Sequence, residues 1–129
     1  MIAAAQRKQL LAAARAVRAR AHAPYSKFRV GAAVLDERGR VHAGCNVENA
    51  SYGLTVCAER NAVAAAVAAG AKRIRAVAVV SDGAVTPCGA CRQVLVELGG
   101  LDTEVLLSGP GGAPRATTLG ALLPDAFSL

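Results

Sequence analysis

Residues 56–107 read VCAERNAVAAAVAAGAKRIRAVAVVSDGAVTPCGACRQVLVELGGLDTEVLL. Two helix-like runs alternate here with two strand-like runs. Val56 to Ala69 is rich in alanine and stops at Gly70, a residue suited to the left-handed position after a helix C-terminus. It is apolar nearly all round, which predicts burial on several sides. Ile74 to Val80 is a mostly apolar run of strand length and predicts a central strand. Pro87 opens a second helix over Cys88 to Leu98, ended by Gly99-Gly100, and Thr103 to Leu107 reads as a further strand. Alternation of this kind lays helices on the faces of a sheet, with right-handed crossovers.

The flanks extend the same plan. Leu10, Ala13, Ala14, Val17 and Ala21 fall at helical spacing, with Arg7, Lys8, Arg15 and Arg18 largely off that stripe. An amphipathic helix is therefore expected over residues 2–21, and His22-Ala23-Pro24 ends it. Tyr25 to Arg29 reads as a short loop. Val30 to Leu35 and Arg40 to Val47 read as strands joined in a hairpin through Glu37-Arg38-Gly39. Residues 48–54 read as a loop. After the Gly109 to Gly112 turn, a short strand near Arg115 to Thr117 and a brief helix over Leu119 to Leu123 complete the chain. The expected fold is a three-layer α/β/α domain with a central mixed sheet, spanning residues 1–129 as one unit. At 129 residues the chain buries roughly two-thirds of its unfolded surface.

Composition excludes several classes. Apolar residues are 53% and charged residues 19%, so the chain is not a disordered one. The longest membrane candidate, Ala62 to Ala71, is half of the ~20 residues a span needs. Residues 1–35 are Arg-rich and acid-poor like a transit peptide, but serine is almost absent and the segment reads as a domain helix. The mature chain is expected to start at Met1 and to be cytoplasmic. The net charge of +6 raises nucleic acid as a partner. With only four aromatics and no Trp to stack bases, a solvated basic helix face is the preferred reading.

Four cysteines without a secretion signal point to metal or catalytic chemistry rather than disulfides. Cys57 opens one helix, and Cys88 and Cys91 open the other in Pro87-Cys88-Gly89-Ala90-Cys91. Positions three apart share a helix face, and a helix N-terminus favours thiolate. Three thiolates are a catalytic zinc set, which leaves the fourth tetrahedral position to a water whose pKa falls towards ~7. Glu59, on the same turn as Cys57 yet offset from it, is then a proton carrier that is not a ligand. This is the arrangement of the zinc nucleobase deaminases, His or Cys, then x-Glu, then Pro-Cys-x-x-Cys. Cys45 lies in a strand away from any helix start and reads as a small buried hydrophobe. A four-thiolate structural site including Cys45 is the rival, and would favour a zinc-stabilised nucleic-acid-binding module. His22 and His42 read as surface residues.

Pro24-Tyr25-Ser26-Lys27-Phe28, Gly44-Cys45-Asn46-Val47-Glu48-Asn49-Ala50-Ser51-Tyr52, Cys57-Ala58-Glu59-Arg60, Pro87-Cys88-Gly89-Ala90-Cys91-Arg92-Gln93 and Leu122-Leu123-Pro124-Asp125-Ala126-Phe127 together closely resemble the small cytidine deaminases. The resemblance spans nearly the whole chain. It implies one Zn²⁺ per subunit on Cys57, Cys88 and Cys91, with Glu59 moving protons. It implies that Asn46 and Glu48 bond the ribose hydroxyls, and that Phe28 stacks on the pyrimidine. Ala58 would also touch substrate, Ala50 and Tyr52 would reach the 5′ side of the sugar in a neighbouring subunit, and Phe127 would close over the base from another chain. Arg60 would bond the thiolates, offsetting the −2 charge of three thiolates and a hydroxide on zinc. The implied reaction is hydrolytic deamination of cytidine and deoxycytidine, in pyrimidine salvage, by a homotetramer with shared sites. A modified nucleoside such as blasticidin S is the alternative substrate. Polynucleotides fit less well, since their deaminases usually carry His where Cys57 stands.

Overall fold

The computed structural model describes residues 1–129. Its strands are β1 (Val30–Asp36), β2 (Val41–Cys45), β3 (Ile74–Ser81), β4 (Glu104–Ser108) and β5 (Arg115–Thr118). Its helices are α1 (Ala4–Arg18), α2 (Ala58–Ala68), α3 (Gly89–Gly99) and the single turn α4 (Leu119–Leu122). The strands form one mixed sheet in the order β2-β1-β3-β4-β5, with β3 and β4 parallel and the other pairs antiparallel. The element order is the one expected, and the α/β class with a mixed sheet holds. Several ends shift. α1 is shorter than residues 2–21, and Val56 is extended, pairing with Val47, so α2 starts only after Cys57.

Alternation along the strands builds two cores. Ala33, Leu35, Ala76, Ala78, Val80 and Leu106 meet Leu10, Leu11 and Ala14 of α1. Ala32, Val34, Val77, Val79, Val105 and Leu107 face the other way, onto Ala62, Val63 and Ala66 of α2 and Leu95 of α3. The period-2 geometry of a strand requires this split. Two glycines let the helices come close. A Cβ on Gly31 would stand 2.0 Å from the Ala14 carbonyl oxygen, and one on Gly44 would stand 2.4 Å from the Ala62 nitrogen. So α1 and α2 lie almost against the hairpin backbone, from opposite sides.

One expectation fails. α2 is not buried all round: Ala64, Ala65 and Ala68 are exposed, and Val67 is 51% exposed. The helix has the sheet beneath it and α3 only along one flank, so its outer apolar face has no cover within one chain.

Candidate metal and catalytic site

The crossovers decide where the chemistry sits. α2 follows β2 and α3 follows β3, and both strands run antiparallel to β1. The two helix N-termini therefore meet at the C-terminal ends of these strands, the usual place for a site in such sheets. Cys57 is the N-cap of α2 and Cys88 the N-cap of α3, each with extended backbone. Cys91 follows within the first turn of α3 and is buried. All four cysteines are free. The sulfurs of Cys57, Cys88 and Cys91 lie within 4.8 Å of one another, with 3.6 Å between Cys88 and Cys91.

These residues fit a zinc ion. Sulfurs tetrahedrally arranged at 2.3 Å from zinc stand about 3.8 Å apart, and the observed cluster already has that scale. The electrostatics agree. The Cys57 thiol is lowered to about 5, first by a bond from the Cys91 thiol and then by Arg60, against the opposing effect of burial. Cys91 is pushed strongly up, because it donates that bond and is itself buried. A bound dication would favour the thiolate form at all three sulfurs. Arg60 Nη2 stands 3.7 Å from Cys57 Sγ and 3.4 Å from the Thr55 carbonyl. A cation is therefore placed against the thiolate, where the charge argument needs one.

Glu59 is only 5% exposed. Its carboxyl is pushed up, chiefly by burial and then by the Cys57 thiolate beside it. It opens on a cavity of about 210 Å³ that is also lined by Cys57, Cys88, Ala58, Phe28 and Asn46. Val30, Thr55, Val79, Val85 and Thr86 complete the lining. None of these five was singled out from sequence, although Thr86 directly precedes Pro87-Cys88 and Thr55 lies two residues before Cys57.

The remaining expected residues distribute around this cavity. Asn46 Oδ1 accepts from the Val30 N–H and its Nδ2 donates to the Phe28 carbonyl, both at 2.8 Å, so it fixes the Phe28 segment at the cavity wall. Glu48 accepts from the N–H groups of Tyr25 and Ser26 and from the Ser26 hydroxyl. The Ser26 hydroxyl leads the causes that hold its carboxyl below the ordinary range. Glu48 lines a second cavity with Tyr25, Ser26, Tyr52 and Thr55, the last shared with the first cavity. The Tyr25 and Tyr52 rings pack at 5.8 Å. Ala50 and Phe127 line neither cavity, and Phe127 is 70% exposed.

Cys45 stands apart from the sulfur cluster, half-buried rather than fully buried. The four-thiolate alternative therefore lacks its fourth ligand. His22 is exposed, as expected. His42 is not a surface residue. Its side chain is 11% exposed and its Nε2 lies 2.8 Å from Asp36 Oδ2. The hairpin register sets His42 opposite Val34, on the α2 face, where the buried Asp36 carboxylate needs donors.

Comparison with known proteins places this geometry. The family described as "Cytidine and deoxycytidylate deaminase zinc-binding region" matches residues 4–107. A cytidine deaminase of Sporosarcina psychrophila is 47% identical over 123 residues, which is 94% of this chain and 90% of that protein. One from Mycobacterium tuberculosis is 54% identical over 112 residues, 84% of this chain and 80% of its own. The crystal structure of a cytidine deaminase from Burkholderia pseudomallei superposes with a TM-score of 0.88 at 53% identity, covering 93% of this chain and 98% of that one.

Proposed function

The chain belongs to the cytidine deaminase family and is an enzyme that deaminates cytidine, and we propose that it does so hydrolytically at the centre formed by Cys57, Cys88, Cys91 and Glu59. The products are uridine and ammonia, and deoxycytidine is a second substrate. The observation that carries this reading is the placement of one buried, charge-averse carboxyl, Glu59, beside three clustered thiols on a cavity walled by an aromatic ring and an amide.

Cys57, Cys88 and Cys91 would hold one zinc ion per chain. When bound, zinc supplies the Lewis acidity that makes water nucleophilic near neutral pH. Glu59 takes a proton from the attacking water and delivers it to the pyrimidine N3 as the water oxygen adds at C4. Glu59 then carries the second proton to the departing amine, the C4–N bond breaks, and ammonia leaves. Burial suits Glu59 to this, because it raises the carboxyl's pKa and makes the protonated form easier to reach. Ala58 and Phe28 bound the base, with Phe28 stacking on its face. Asn46 and Glu48 bond the ribose hydroxyls; the Glu48 carboxylate makes the stronger, charge-assisted contact. Arg60 offsets the thiolate charge.

Tyr52, Ala50 and Phe127 are assigned to a neighbouring subunit's site. Their exposure and the uncovered apolar face of α2 support a homotetramer with shared sites. No helix is long and apolar enough to cross a membrane. A cytoplasmic place in pyrimidine salvage, acting on free nucleosides and not on nucleic acid, completes the reading, with residues 1–129 acting as one domain. The test is direct. Purified, zinc-loaded protein is mixed with cytidine, and the ultraviolet loss of the cytosine chromophore is followed with ammonia release. Equimolar loss and release are expected. An intact, zinc-loaded protein that leaves cytidine unchanged contradicts the proposal.

A further inference from the structure

Arg92 follows the buried Cys91 directly, in the first turns of α3. Its Nε donates to the Pro87 carbonyl at 2.7 Å, and its Nη2 donates to Thr86 Oγ1 at 3.0 Å. Its Nη1 donates to the carbonyl of Leu122, the last residue of α4. One guanidinium thus grips the loop that delivers Cys88 and the start of the C-terminal tail. The next residue holds the tail's far end, since Gln93 Nε2 donates to the Phe127 carbonyl at 3.1 Å. Between these two anchors the tail turns sharply, with Asp125 at φ 53°. The Phe127 ring is left pointing into open space from a backbone fixed at both ends.

The choice of arginine here is informative. A cation near a helix N-terminus opposes the helix dipole. Arg92 has no acidic partner, since the ion pairs of the chain involve Arg7, Arg18, Arg40 and His42. What it contributes is a planar fork that three separately placed oxygens can share, which the point charge of a lysine cannot reproduce. We infer that Arg92 is a positioning residue: it locks the tail that presents Phe127 to the loop that carries Cys88, so that the metal loop and the exposed ring are held in one geometry. Resting on the assignment of Phe127 to a neighbouring site, this deepens the proposed function.

Two variants, Arg92→Lys and Phe127→Ala, and their double mutant test the inference in the zinc-loaded enzyme. In Arg92→Lys, amide exchange of residues 123–128 should accelerate while zinc content stays that of wild type. KM for cytidine should rise about tenfold with kcat nearly kept, the size of one lost base-stacking contact. Phe127→Ala should raise KM similarly, and the double mutant should be no worse than either single change. Gln93→Ala, which removes only the outer anchor, should move exchange and KM the same way by less, and serves should Arg92→Lys fold poorly. Wild-type exchange and KM in both anchor variants overturn the inference, as does faster exchange with unchanged KM. A Phe127→Ala enzyme with unchanged KM puts the fault in the reading of Phe127. Its KM rising alone puts the fault in the tether.

Discussion

Three acidic side chains are buried in this molecule, Asp36, Glu59 and Glu104, and the surroundings of Asp36 and Glu59 are opposites. Asp36 is fully buried and accepts from the N–H groups of Arg38 and Arg40, from Arg40 Nε and from the His42 ring. Burial alone would raise its pKa, but these donors hold it far below the ordinary carboxylate range. Glu59 is nearly as buried, yet its neighbours are a thiolate-forming cluster and an apolar wall, and its pKa goes up. The difference separates structure from chemistry. A carboxylate surrounded by donors is locked in one charge state and serves the fold. One left short of donors beside a cation site can change state and can move protons. Arg40 extends the structural role, as its Nη1 also donates to the Ala69 carbonyl just beyond α2.

The comparison breaks most sharply at the cysteines. Cys91→Ser should lose zinc and all measurable turnover, and should lower the melting temperature, because metal binding and folding are coupled there. Metal analysis and calorimetry of the purified variant check this. In the hairpin, Asp36→Asn should destabilise the fold by about 2 kcal/mol, the scale for losing hydrogen bonds to a charged acceptor, while kcat per folded molecule stays unchanged. Urea titration beside an activity assay reads both. The sign with pH follows from the lowered pKa. The stabilising effect of Asp36 is full above its unfolded value near 3.8 and disappears as pH falls through the folded one. The acid-side loss of stability should therefore be shallower in Asp36→Asn. The smallest effect sharpens the comparison: Arg60→Gln should weaken zinc affinity about tenfold, as changes beside ligands do, with the melting temperature of the zinc-loaded enzyme nearly kept. Competition with a chelator measures it.

How much of this was legible beforehand depended on sequence distance. The parts of the site could be read because each is set within a single helix turn, Cys57 with Glu59 and Cys88 with Cys91, and the β-α-β order brings the two helix starts together. The alternating strands likewise carried their own period. The Asp36–His42 contact was not legible, because it depends on hairpin register, which sets His42 opposite Val34. The exposed face of α2 was misread because an apolar composition states what a helix prefers to bury, not what is present to cover it. The Arg92 anchor was hidden for a further reason: its acceptor at Leu122 lies 30 positions away and is a backbone carbonyl, which no side-chain pattern marks.

The measurement that tests the central claim most directly is the turnover of Glu59→Gln against its zinc content. Gln keeps the shape and polarity of the side chain and removes its proton chemistry. The account predicts wild-type zinc with cytidine turnover down by about 10²–10⁴-fold, the usual share of a positioned acid–base group. Turnover within a few-fold of wild type, in a variant that holds its zinc, would contradict it and leave the buried carboxyl a structural one like Asp36.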